Sequence, residues 1–195
     1  MTRFDPAAFT PPLHVPVLDA GPVVLRPFEA TDMPMVRQAA VDPVIPSITS
    51  VPRGYDEREG RAFIERQYRR AAAGDGFSFV IAPTSDRGNG IGSIGLWVNE
   101  IESGRASIGY WIVKSARGRG LAGYALRGLV DFAFGHLAIP RLQLFVEPWN
   151  VASAKTAISA GFVFEAMLRD FERFDGEQHD AECYARLYAD WAPPG

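Results

Sequence analysis

Residues 114–122, reading KSARGRGLA, set Lys114, Arg117 and Arg119 around Gly118 and Gly120. Arg105 precedes them, Arg127 follows, and no Asp or Glu intervenes between Glu102 and Asp131. Cations at this spacing attract an anion, and glycines let it approach backbone N–H groups. A helix starting here would add unpaired N–H donors and a partial positive charge, the chemistry that holds phosphate oxygens. The bland alternative is a solvated helix start with arginines for solubility. The flanks favour the anion site, because Ile108, Tyr110, Trp111, Ile112 and Val113 read as a mostly buried strand, while Leu121, Tyr124, Ala125, Leu129 and Phe132 recur at helical spacing. Residues 107–134 are therefore strand, turn and helix.

Two common phosphate turns compete for this stretch. A nucleotide P-loop needs G-x-x-x-x-G-K-[S/T], which is absent. Gly118, Gly120 and Gly123 do satisfy G-x-G-x-x-G, but the strand before them is not the first of a βαβ series. The run from Arg117 to Ala122 instead fits [Q/R]-x-x-G-x-[G/A] without a gap.

With that run in place, the chain resembles the GCN5-related N-acetyltransferases, and within them the RimJ/RimL type that acetylates ribosomal protein N-termini. The resemblance extends from Leu25-Arg26-Pro27-Phe28 and Asp32, through Ile108-Gly109-Tyr110-Trp111-Ile112, to Asn150, Ser153 and Gly161-Phe162. It closes with Tyr184-Ala185-Arg186-Leu187-Tyr188 and Trp191. It implies an α+β fold with a splayed, mostly antiparallel sheet of about seven strands flanked by helices. It also implies acetyl-coenzyme A as donor and a primary amine, either a protein N-terminus or a small amine, as acceptor. Pyrophosphate would lie on Arg117, Gly118, Arg119, Gly120, Leu121 and Ala122, and the pantetheine arm along Ile112 and Val113, with Asn150 and Ser153 facing it.

The catalytic candidates come from the same resemblance. The family commonly places a proton-donating Tyr seven residues beyond the Asn, and this chain has Ala157 there; where some relatives carry a strand glutamate, it has Ser107. The RimL-like pattern offers Ser153 as proton donor to the leaving thiolate and Glu172 as base for the amine. Their structural alternatives are a hydroxyl satisfying the first helical turn and one of the solvated charges around Arg169, Asp170 and Arg173. Asn150 is equally a helix cap. Glu100 and Glu102 are weaker bases, and Tyr110 and Trp97 are either acceptor-tunnel walls or core. His14, His136 and His179 show no ligand spacing to one another or to Cys183, so no metal is expected. No activated nucleophile is evident, which favours direct attack over an acyl-enzyme. Two rivals stay open: use of another acyl-CoA such as succinyl-CoA, and a non-catalytic acyl-CoA sensor.

Composition fits one ordinary domain: 195 residues, 47% hydrophobic and 22% charged. A net charge of -3 argues against nucleic acid as a partner. The single Cys183 and the lack of a long apolar run point to a cytoplasmic protein away from membranes. Pro6, Pro11, Pro12, Pro16 and Pro22 make residues 1–22 an extended arm ahead of a domain spanning 23–195, and such an arm is compatible with a homodimer. Thr31 and Asp32 read as a helix cap, residues 43–52 as an irregular loop, Asp56 as the start of a helix through Arg70, and Asp175-Gly176 as the turn of a closing hairpin, while the resemblance implies that residues 40–60 help choose the acceptor.

Overall fold

The structure, a computed structural model, describes residues 4–174 and 176–193. Asp175, expected in the closing turn, lies outside them. The strands are β1 (Leu18–Ala20), β2 (Val23–Arg26), β3 (Gly76–Pro83), β4 (Gly92–Trp97), β5 (Arg105–Ile112), β6 (Arg141–Val146), β7 (Val163–Phe174) and β8 (Glu177–Leu187). They form one sheet in the order β1-β2-β3-β4-β5-β6-β8-β7. Every neighbouring pair is antiparallel except β5 and β6. That is one strand more than expected, because Leu18–Ala20, inside the proline-rich segment, pairs with β2 across the turn at Gly21.

Among the described residues, four α-helices accompany the sheet: α1 (Met33–Ala40), α2 (Glu57–Ala73), α3 (Leu121–Gly135) and α4 (Val151–Ser159). Residues 76–82 of β3 are all buried, so helices cover both faces there. Phe77 and Phe79 meet Phe132 of α3 edge to face, while Ser78, on the opposite face, shares a cleft with Gln67 and Ala71 of α2. Local signals set the helix ends. Asp56 caps α2 through a 2.7 Å bond from the Glu59 N–H, Gly74 ends it with φ +83°, and Asn150 caps α4. β4 stops at Trp97, and a 3-10 turn, Ile101–Ser103, then leads into β5.

The parallel pair is where the sheet opens. β5 and β6 pair from Arg105↔Arg141 to Ile108↔Leu144 and no further, although both strands continue. β4 holds residues 107–112 of β5 from one side, and β8 holds β6 as far as Val146. The two halves of the sheet therefore part beyond Ile108, leaving a gap beside residues 109–112.

Asp32 does not cap α1 as its sequence position suggests. Its carboxylate, fully removed from solvent, takes two bonds from the Arg26 guanidinium (2.7 and 2.9 Å) and one from the Glu29 N–H (2.8 Å). This fork ties β2 to the start of α1 in a dry setting. Asp32→Asn leaves Arg26 buried with its charge uncompensated and is expected to cost about 3–5 kcal/mol, read as a lower midpoint in chemical denaturation.

Candidate active site

The basic turn forms a cradle of backbone donors. Gly118 (φ +75°) and Gly120 (φ +70°) are both in the left-handed region, with nothing within 4 Å of where a Cβ would sit. Conformation and not crowding calls for glycine there. Among the described residues, the N–H groups of Gly118, Arg119, Gly120, Leu121 and Ala122 have no hydrogen-bond partner, and Gly120 caps α3 without a side chain. Together they present five donors and the positive end of a helix.

Arg117 has another task. Its Nε donates to the Ile112 carbonyl (2.8 Å) and its Nη2 pairs with Asp42 Oδ2 (2.9 Å), locking the turn to the loop after α1. Burial pushes the Asp42 carboxyl up, but bonds from the Val44 and Ile45 N–H groups and from Arg117 outweigh it and hold the pKa below its ordinary value. Arg119 is exposed beside the Ser115 carbonyl (3.4 Å).

Two cavities meet beside the parted strands. The larger, about 430 Å³, runs along the donor cradle between residues 110–112 and Ala152, Ser153 and Thr156 of α4. The smaller, about 260 Å³, lies under Phe63, Gln67 and Arg70 of α2 and over Gly95 and Gly109, with Ile48, Thr49 and Ser50 at its edge. Ile48, Tyr110, Trp111, Asn150 and Ser153 line both and mark the junction. Strand alternation turns the backbone groups of Tyr110 and Ile112 toward the gap. Val113 differs from expectation, since its N–H bonds the Ile91 carbonyl and its carbonyl accepts from Ala116, both at 2.9 Å, leaving no free backbone group for a ligand.

At the junction the Tyr110 hydroxyl lies 2.9 Å from Ser153 Oγ and also donates to the Ser153 carbonyl (3.2 Å). Burial raises the Tyr110 pKa despite opposing bonds to Ser153 and Thr156, so the phenol keeps its proton. The Ser153 N–H is taken by Asn150 Oδ1 (3.2 Å), which satisfies the capping role read for Asn150. Ala157, on this same helix, is fully buried.

Glu172 lines the smaller cavity from its exposed rim on β7, and desolvation raises its carboxyl pKa. Beside it stands Glu147, just past the end of β6, which sequence reasoning missed. Burial raises its pKa first, the Glu172 charge adds to this, and its own backbone N–H and His179 oppose it. Its only sequence signal is a carboxylate ending an apolar strand ahead of Pro148. Glu100 instead pairs with Arg105 (3.0 Å), and neither it nor Glu102 lines either cavity. Among the described residues, no group of three or more His, Cys, Asp or Glu is placed to hold a metal, and no helix is long and apolar enough to cross a membrane.

A splayed mixed sheet with an anion cradle at the helix after its central strand is the architecture of an acyl-coenzyme A transferase. Residues 23–163 match the family described as Acetyltransferase (GNAT) domain, and the chain belongs to that family. It is an enzyme of the N-acetyltransferase class, moving acetyl from acetyl-coenzyme A to an amine. A relative from Bacillus licheniformis, the uncharacterized N-acetyltransferase p20, is 29% identical over 172 residues, covering 87% of this chain and 95% of its own. Mycobacterium smegmatis RimJ, solved with a coenzyme A disulfide, is 25% identical with a TM-score of 0.73, covering 89% of this chain and 86% of its own. RimL, the ribosomal L7/L12 alpha-N-protein acetyltransferase solved with coenzyme A, superposes at a TM-score of 0.77 and 20% identity over 88% of this chain and 98% of its own.

Because the Arg117 brace leaves Asp42 buried when removed, Arg117→Ala should cost about 1–3 kcal/mol at neutral pH. Asp42 titrates below its ordinary 3.8 when folded, so the stability it contributes is present above that value and lost as pH falls through the lower one. Denaturant midpoints followed from neutral to acid pH should therefore fall less steeply in the variant than in the parent.

Proposed function

We propose that this chain acetylates a primary amine by direct attack within a ternary complex, with donor and acceptor entering the two cavities from opposite ends. The observation that carries this reading is the junction, where both cavities share the Tyr110–Ser153 hydrogen bond. The five free N–H groups at 118–122 take the pyrophosphate of acetyl-coenzyme A, and the pantetheine amides pair with the open edge of β5 at Tyr110 and Ile112. Arg117 braces this turn while Arg119 and Lys114 supply charge from outside. Among the described residues, none of those lining the junction is a cation, which supports acetyl over succinyl as the transferred group.

The amine nitrogen attacks the thioester carbonyl; a C–N bond forms, the C–S bond breaks, and the nitrogen's proton passes to Glu172 directly or through water. Ser153 gives its hydroxyl proton to the departing thiolate and recovers one from Tyr110, whose phenolate is reprotonated from water before the next turnover. Tyr110 thus takes the place of the tyrosine that Ala157 lacks. RimL is by name a ribosomal-protein alpha-N-acetyltransferase, and its likeness to this chain supports such an acceptor here.

Calorimetric titration with acetyl-coenzyme A tests the donor half: Gly118→Val/Gly120→Val should abolish binding by forcing residues with a Cβ out of the left-handed region. For the chemical step, Ser153→Ala and Glu172→Gln are expected to lower kcat by about a hundredfold each. Since desolvation lifts the Glu172 pKa above its ordinary 4.5, kcat/KM should fall as pH drops through that raised value, and Glu172→Gln should flatten this limb. Full activity in both single variants would remove the catalytic assignment.

A further inference from the structure

The smaller cavity has walls of opposite charge. Glu147 and Glu172 line it from the end of β6 and from β7, and Arg70, from the last turn of α2, lines it over Trp97 of β4, so the charges come from the two halves of the parted sheet. The Arg70 guanidinium lies over the Trp97 indole at 4.6 Å from its centroid and bonds only neutral partners, Gln67 Oε1 (2.7 Å) and Ser50 Oγ (3.2 Å). Among the described residues, no carboxylate stands within ion-pair distance of it. Burial and the neighbouring Arg66 lower its pKa, with Asp75 working the other way. A half-buried guanidinium held by neutral groups has unused donors and an unmet preference for an anion.

The cavity floor fixes where that anion would lie. Gly95 and Gly109 pair across β4 and β5, and the Trp97 indole lies over them: a Cβ on Gly95 would sit 2.4 Å from its ring. Arg70 stacks on this indole and lines the smaller cavity but not the larger one, whereas Ser153 lines both. Two residues of strand, about 7 Å, separate Gly109 from Trp111 at the junction.

We propose that the acceptor is an amine that also carries a carboxylate several bonds away, the amine lying between Ser153 and the two glutamates and the carboxylate on Arg70. Arg70 is then the residue that sets acceptor specificity. The same chemistry belongs to a free amino-carboxylate and to a peptide whose N-terminal residue has an acidic side chain. This inference rests on the smaller cavity being the acceptor side.

Equilibrium binding to the protein saturated with coenzyme A tests it without requiring turnover. Pentylamine and 5-aminopentanoate differ only by the carboxylate, and two otherwise identical peptides beginning with Gln or Glu make the second arm. In at least one arm the carboxylate should strengthen binding about tenfold or more, and Arg70→Met should erase that preference while Arg70→Lys keeps part of it. Which arm responds identifies a small-molecule or peptide acceptor. Equal or weaker binding of the acids in both arms, binding of none of the four ligands, or a preference that survives in Arg70→Met would overturn the proposal. Failure of coenzyme A itself to bind would instead overturn the donor-site reading.

Discussion

The structure turns on the point where β5 and β6 stop pairing. A parallel pair requires a crossover, here α3, and the helix that makes it must start beside the end of β5. The cradle of free N–H groups therefore falls next to the gap left by the parting strands. Had the ladder run on past Ile108↔Leu144, the backbone groups of Tyr110 and Ile112 would be spent within the sheet. The cleft and the cradle follow from one topological fact.

Polar groups around the gap fall into those already satisfied and those left free, and the division separates scaffold from site. Arg117 and Asp42 are ion-paired, the Val113 backbone is bonded on both sides and Asn150 Oδ1 caps α4, and together they hold the turn, the loop after α1 and the start of α4 in place. Among the described residues, the N–H groups of residues 118–122, the gap-facing backbone of Tyr110, the Ile112 N–H and part of the Arg70 guanidinium are left free, the Ile112 carbonyl being taken by Arg117. These free donors border the cleft, where a ligand's acceptors can take them. The carboxylates obey the same logic: Glu147 and Glu172 share a desolvated wall where both pKa values rise, whereas Glu165 on the surface is held down by Arg141.

Trp97 shows how small residues shape the second cavity. Gly95 and Gly109 carry no side chains on the face beneath α2, so the indole folds flat across them and gives Arg70 a surface to stack on. The aromatic is neither simple core nor free wall; it is a floor.

Much was readable from the chain alone because it is local. The left-handed glycines of the turn, the Asn150 and Asp56 caps and the strand-turn-helix order of residues 107–134 depend on near neighbours, and each appears where backbone chemistry demands it. Asn150, Ser153 and Glu172 do line the cleft. What the chain could not declare are the long-range pairings: Arg117 with Asp42, Asp32 with Arg26 in place of capping α1, Tyr110 with Ser153 across 43 residues, and Glu147 beside Glu172. Leu18–Ala20 was equally hidden, since three residues among prolines become a strand only through the edge that β2 offers. Sequence determined which elements form and where a phosphate could be held, because caps, glycines and periodicity act within a few residues. Only the tertiary structure decided which hydroxyl meets which, which arginine is spent and which is free, because those outcomes depend on where the sheet parts.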